Sequence, residues 1–176
     1  MTWKPLKDMS EYVPEVEKCR PRLLRFCAGQ GIDLACGDRK IKQTAIGLDI
    51  GKGADSQADF AIDLEGGLTL FASDTFDFVF SSHYLEHVKD LPSQLQEWWR
   101  VLRPGGNLVL YLPHGDHIGE QGPEHIWKRM FPEMIANWMD VNRGYKLVIE
   151  GEFPRNPEKP MEWQEYSFAM IYRKDL

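Results

Sequence analysis

The chain reads as a three-layer α/β domain on an open, mostly parallel sheet, and three segments predict it. Gly31-Ile-Asp-Leu-Ala-Cys-Gly37, Ile46-Gly-Leu-Asp-Ile50 and Phe76-Asp-Phe-Val-Phe-Ser-Ser-His83 are apolar runs of strand length, each ending in small, polar or acidic residues. Strands buried on both faces, with polar punctuation at their C-terminal ends, are how parallel sheets present ligands.

Taken in order, residues 1–10 show no periodicity. Ser10 is placed to cap a helix over 11–19, and Pro21 to open a second short one over 21–28; Pro14 and Pro21 speak against one long helix. Strands follow over 31–35, 45–50 and 59–63. A parallel crossover normally takes about ten to twelve residues and contains a helix. Cys36–Thr44 is shorter than that, so the first helix of the fold is trimmed to a turn or absent. Phe76–Ser82 is the fourth strand. Asp90 and Pro92 start a helix whose stripe runs through Leu91, Leu95, Trp98 or Trp99, and Leu102. Arg103-Pro-Gly-Gly106 is read as its stop and Asn107–Leu112 as the fifth strand. Residues 113–130 have no period, and loops of that length are usually functional or disordered. A helix over 132–143 is expected to turn Met134, Ile135, Trp138 and Val141 inward and to end at Gly144. Two alternating strands, Tyr145–Phe153 and Tyr166–Arg173, complete the chain.

Composition sets bounds on function. The 176 residues suit a single domain, and no stretch approaches the roughly 18 apolar residues of a membrane span. The first ten residues are too polar for a signal peptide, and Cys19, Cys27 and Cys36 form neither a disulfide framework nor a ligand spacing. A reducing cytoplasm is the expectation. A net charge of −6 disfavours nucleic acid as a partner. Lys18, Arg20, Arg22 and Arg25 are a local basic exception, read as a solvated helix face.

The loop after the first strand decides the ligand class. A dinucleotide site would want Gly-x-Gly-x-x-Gly opening a helix. Ala35-Cys-Gly-Asp38-Arg-Lys has one glycine and an acidic residue that repels a pyrophosphate. The loop resembles instead that of the class I S-adenosylmethionine (SAM)-dependent methyltransferases, Asp/Glu-x-Gly-x-Gly-x-Gly. Ala35 stands for the first glycine and Arg39 where the last would be. Cys36-Gly-Asp-Arg-Lys40 with Ala45-Ile-Gly-Leu-Asp49 is similar to a short subgroup related to the type 11 methyltransferases, and Ser81-Ser-His-Tyr-Leu-Glu-His87 to the His-x-Leu-Glu-His signature after the fourth strand.

The resemblance implies a Rossmann-like methyltransferase fold: a mostly parallel seven-stranded sheet, a reversed final strand and a trimmed first helix. It implies SAM as cofactor, S-adenosylhomocysteine as product, and contacts from Asp33, Ala35, Cys36 and Gly37. Asp49, with Ile50 beside it, would take the ribose hydroxyls, and Asp63 and Leu64 the adenine. Ser81, Ser82 and His83 would lie by the methionine portion and the methyl group. Glu86 and His87 would orient loop groups.

All five histidines fall after strands four and five, and imidazole suits general-base work. His83 is the first candidate base and His117 the second. His114-x-x-His117 and His83/His87 have usable metal spacings, but no cysteine pair supports one and no metal is expected.

The expected activity is methylation of a small molecule or sugar, at oxygen; a protein or RNA acceptor and an inactive SAM-binding module are the alternatives. Residues 1–28 form the N-terminal helical segment, 30–115 the cofactor core, and 113–176 the acceptor loop, helix and last two strands. Trp127 and Trp163 are candidate pocket walls. Residues 11–28 are expected to fold back over the sheet face that the missing helix leaves bare and so help hold the cofactor. A second subunit is the alternative cover, so monomer and homodimer both stay open.

Overall fold

The structure, a computed structural model, describes residues 13–51, 55–117, 124–142, 144–153, 156, 158–159 and 164–176. The proposed cap Ser10 and the wall Trp163 lie outside them. Seven strands form one sheet: β1 (Gly31–Leu34), β2 (Ile46–Asp49), β3 (Phe60–Ala61), β4 (Phe76–Ser82), β5 (Leu102–Pro113), β6 (Tyr145–Phe153) and β7 (Ser167–Lys174). Their spatial order is β3-β2-β1-β4-β5-β7-β6. The pairs β3–β2, β2–β1, β1–β4 and β4–β5 are parallel, while β7 runs antiparallel to both β5 and β6. The mostly parallel sheet with a reversed final strand is as expected. No helix lies between β1 and β2; the connection is a series of turns.

Side-chain alternation along the strands splits the core in two. Leu108, Leu110 and Leu112 of β5 face a cluster completed by α2 (Leu91–Val101) and α3 (Pro132–Asn142), including Leu95, Trp98, Ile135 and Met139. Val109 and Tyr111 face the other way, with Phe78, Phe80, Ala169 and Ile171. That second face is covered by α1 (Glu15–Leu23), which lays Val16, Cys19 and Leu23 on it, with Cys27 following. The N-terminal segment does fold back over the bare sheet.

Several boundaries differ from expectation. Pro14 precedes a single helix, and Pro21 sits in its last turn rather than opening a second one; only a 3-10 turn, Leu24–Phe26, follows. Proline inside a helix costs about 3 kcal/mol. Burying Val16 and Leu23 returns roughly 1.5–3 kcal/mol each, so tertiary packing overrides the local signal. Arg103–Gly106 does not separate helix from strand: Leu102 already pairs with Phe76 and Asn107 with Phe78, which makes the four residues a bulged turn within β5. In α3 Ile135 and Trp138 pack on the core as expected, joined by Pro132 and Met139, while Val141 is 83% exposed.

Candidate active site

The C-terminal ends of β1, β2 and β4 form one edge, and most of the sequence-predicted residues meet there. Asp49 closes β2 and ties the edge together: Gly37 N–H donates to Oδ2 at 2.9 Å and Gly51 N–H to Oδ1 at 3.1 Å. Gly37 takes a φ of +53°, and a Cβ on it or on Gly51 would meet nothing within 4 Å. Asp49 therefore stands between two backbone stretches that leave open space. Beside it Ile50 is 73% exposed, an apolar side chain with no protein cover. Ala35 adopts a left-handed φ of +56°, the conformation the family glycine supplies without strain.

Other predicted residues serve the frame. Asp33 is buried on the α1 side of the sheet and accepts the Ile41 N–H at 2.5 Å; burial pushes its carboxyl up to about 7, against that amide bond. Cys36 is buried, and its thiol is pushed up to about 12 by burial. Asp63 caps the 3-10 turn Leu64–Gly66 by accepting Glu65 N–H, and the Leu64 side chain is in the core. Asp59, the neighbouring acid, is spent on Lys40 Nζ at 3.0 Å and Gly47 N–H at 2.7 Å. Ser81 donates its hydroxyl to Leu34 O at 3.2 Å, whereas the buried Ser82 Oγ has no hydrogen-bond partner.

The missing helix is replaced by side chains from its neighbours. Lys40 turns inward to Ala45 O at 2.9 Å, and Arg20 of α1 reaches Lys40 O at 2.5 Å and Ile41 O at 3.2 Å. Lys42 Nζ donates to Gly29 O at 2.9 Å. The loop lies so close on β2 that a Cβ at Gly47 would come within 2.9 Å of Cys36 Sγ. Three of the four basic residues, Lys18, Arg20 and Arg22, are thus an internal clamp and not a solvated face, while Arg25 is exposed as expected. Lys18 bonds Glu15 and Gln164 O, Arg22 pairs with Glu165, and Arg25 lies over the Phe26 ring.

His83 ends β4 at a φ of +52°. Its Nε2 lies 2.9 Å from Ser167 Oγ and 3.7 Å from Glu15 Oε2, and its Nδ1 3.5 Å from Glu86 Oε1. Burial lowers its pKa to about 4, with Glu15 pulling the other way, so the ring is neutral at pH 7. Tyr166 donates its hydroxyl to Glu15 Oε1 at 3.2 Å, and Tyr111 donates to Glu165 at 3.0 Å. Glu15, Ser167 and Tyr166 were not foreseen from sequence: they lie 68, 84 and 83 positions from His83, and nothing local marks them.

The second candidate base, His117, is not brought to His83 by any contact among the described residues. It stacks on His114 at 4.4 Å and faces Glu152 Oε2 at 3.4 Å. His87 and His125 pair separately, ring centroids 4.5 Å apart, beside Glu86. Trp127 packs against the α2-side core and donates its indole N–H to Val88 O at 2.8 Å.

Known proteins place this architecture. Residues 24–110 match the methyltransferase domain family. A SAM-dependent methyltransferase from Archaeoglobus fulgidus superposes with a TM-score of 0.67 at 17% identity, covering 90% of this chain and 94% of that one. An S-adenosylmethionine-dependent methyltransferase from Mesorhizobium loti gives 0.65 at 18% identity, covering 89% and 98%. The 1,6-didemethyltoxoflavin-N1-methyltransferase of Burkholderia thailandensis, with bound 1,6-didemethyltoxoflavin and S-adenosylhomocysteine, gives 0.69 at 14% identity, covering 90% and 79%. No curated protein matches the chain. The segment that builds the C-terminal edge of the sheet matches a methyltransferase domain, and the chain as a whole shares the fold of SAM-dependent methyltransferases.

Proposed function

We propose that the protein transfers the methyl group of SAM to a hydroxyl oxygen of a small molecule or sugar, with His83 as the proton acceptor. The observation that carries this reading is a neutral histidine at the ligand edge with a hydroxyl already on one ring nitrogen: His83 Nε2 and Ser167 Oγ are 2.9 Å apart. An acceptor hydroxyl would take the place of Ser167 on that nitrogen. The residues at the edge fit SAM. Open space at Gly37 and Gly51 suits close approach of the cofactor, the Asp49 oxygens keep lone pairs for two ribose hydroxyls, and exposed Ile50 offers an apolar face to a purine. SAM supplies a methyl on a cationic sulfur that is already a good leaving group. The protein's own part is to align the acceptor and, for a hydroxyl, to take its proton.

Asp33 and Cys36 act in this reading through the loop they brace, and His117 lines the acceptor side. Residues 30–115 serve as cofactor core and 113–176 shape the acceptor pocket within one domain. The Burkholderia neighbour acts on a small molecule, which favours that acceptor class; its nitrogen chemistry makes N-methylation the competing outcome. The basic cluster gives no support to a macromolecular acceptor, because Lys18, Arg20 and Arg22 are engaged within the fold.

A panel of small hydroxyl, sugar and amine acceptors, read by S-adenosylhomocysteine release, tests the reading. Turnover of a hydroxyl acceptor is the expected result; turnover of amines alone, or of protein or RNA alone, would refute it. His83→Ala should then lower single-turnover rates about 10²–10⁴-fold with SAM affinity little changed. The pH profile checks the same residue. A base must be deprotonated to act, so with a pKa near 4 the acid limb should fall below pH 5 instead of near 6.5.

A further inference from the structure

We propose that Glu86, His87 and His125 form a binding site for one divalent cation of the Zn²⁺ or Mn²⁺ type. Three independent observations converge on it. The first is Glu86, whose side chain is fully buried and whose two carboxylate oxygens have no hydrogen-bond partner. A buried carboxylate without compensation is expensive, so such groups pair, take up a proton or coordinate a metal.

The second observation is the tautomer of His87. Its Nδ1 lies 3.1 Å from Glu124 O. A carbonyl only accepts, so Nδ1 carries the proton and Nε2 keeps its lone pair. Metal-ligating histidines are set in this way, by donating their other ring N–H to a carbonyl or carboxylate. The third is convergence. One ligand atom from each of Glu86, His87 and His125 lies within 4.8 Å of the other two, and His87 Nε2 is 4.0 Å from Glu86 Oε1. Ligand atoms around a tetrahedral Zn²⁺ stand about 3.3 Å apart, so small side-chain rotations close the set.

The backbone holds this cluster in place. Glu86 O accepts the N–H groups of Ile126 (2.9 Å) and Trp127 (3.0 Å), which fixes the His125 segment over the turn that carries Glu86 and His87. Two imidazoles and one carboxylate favour Zn²⁺, Mn²⁺ or Co²⁺ over the oxygen-seeking Mg²⁺ and Ca²⁺. Three protein ligands leave positions for water or another oxygen.

The other histidine trio, His114, His117 and Glu152, has similar spacing but the wrong proton. Asp116 N–H donates to His114 Nδ1 at 3.2 Å, so the proton of that neutral ring is on Nε2, the atom facing Glu152 Oε1 at 3.4 Å. That group is a hydrogen-bonded set whose carboxylate is half exposed. The sequence expectation of no metal is revised for the Glu86 cluster alone.

The full-length protein, stripped with chelator and checked by circular dichroism, is titrated with Co²⁺ and its visible d–d bands are read; Zn²⁺ binding is followed by calorimetry. One ion per chain is expected, weakened at least about tenfold by Glu86→Gln, which keeps the side-chain shape, and by His125→Ala. His114→Ala should bind as wild type. SAM affinity of His125→Ala, measured separately, should be unchanged, so the cation site and the methyl-transfer reading fail independently. No stoichiometric Co²⁺ site, or one lost in His114→Ala and kept in Glu86→Gln, would overturn the proposal. If His87→Ala fails to fold, the Glu86→Gln and His125→Ala arms still decide.

Discussion

Asp49 shows how one side chain can join two loops and keep capacity for a ligand. Both oxygens accept backbone amides, from Gly37 and Gly51, and each retains a lone pair directed away from those bonds. Hydrogen bonds to a charged group contribute about 1.5–3 kcal/mol each. Asp49→Ala should therefore weaken SAM binding at least about tenfold by calorimetry, with the circular dichroism spectrum retained. Asp49→Asn, which keeps one acceptor oxygen, should fall between the two. Unaltered affinity in both would remove Asp49 from the cofactor site. This residue was legible in the sequence because its partners are local: Gly37 and Gly51 are 12 and 2 positions away. The partners of His83 were not, since a hydrogen bond across 84 positions leaves no spacing to read. The orphaned oxygens of Glu86 were equally hidden, because a Leu-Glu-His string does not say which way the glutamate turns.

At the level of elements, what the chain omits matters as much as what it contains. Between β1 and β2 there is room for turns only, a fact that counting residues revealed. The replacement was half visible. An apolar N-terminal segment was an evident cover, but a helix passing through Pro21 was not, and neither was the conversion of its basic residues into anchors for loop carbonyls. Arg20 carries most of that anchoring, with Lys40 O and Ile41 O as acceptors. Its side chain is 26% exposed, so solvent weakens the gain, and Arg20→Ala should cost about 1–3 kcal/mol in urea unfolding. Because the loop it holds contributes Gly37, SAM affinity should drop with it. Lys at this position donates fewer bonds and should restore only part of both. A variant of full stability and affinity would show that the loop holds itself.

On the scale of the whole molecule, a mostly parallel sheet with a reversed final strand was legible through the family resemblance of the motifs that end β1, β2 and β4, whereas the spatial order of the strands was not. That the N-terminal segment covers the bare face was legible too; that Asp33 is thereby enclosed between the sheet and the loop was not. Its carboxyl is raised to about 7, first by burial, against an unfolded value near 3.8. Between those values the unfolded chain gives up a proton that the folded chain keeps, so stability falls as pH rises from about 4 to 7 and is level above. Asp33→Asn removes that slope. The stability gap between variant and wild type should move in the variant's favour across this window, by an amount on the order of a few kcal/mol, in denaturation series at pH 4, 5.5 and 7. A gap that is constant with pH would place an ionised Asp33 in the fold. The cover itself has a consequence for synthesis. The sheet face beneath α1 includes Ala169 and Ile171 of the last strand, and Arg22 pairs with Glu165. In synthesis α1 thus waits for β7 before its docking surface is complete. Until then its apolar stripe has only part of a partner, which makes this the interval in which a chaperone would engage the chain.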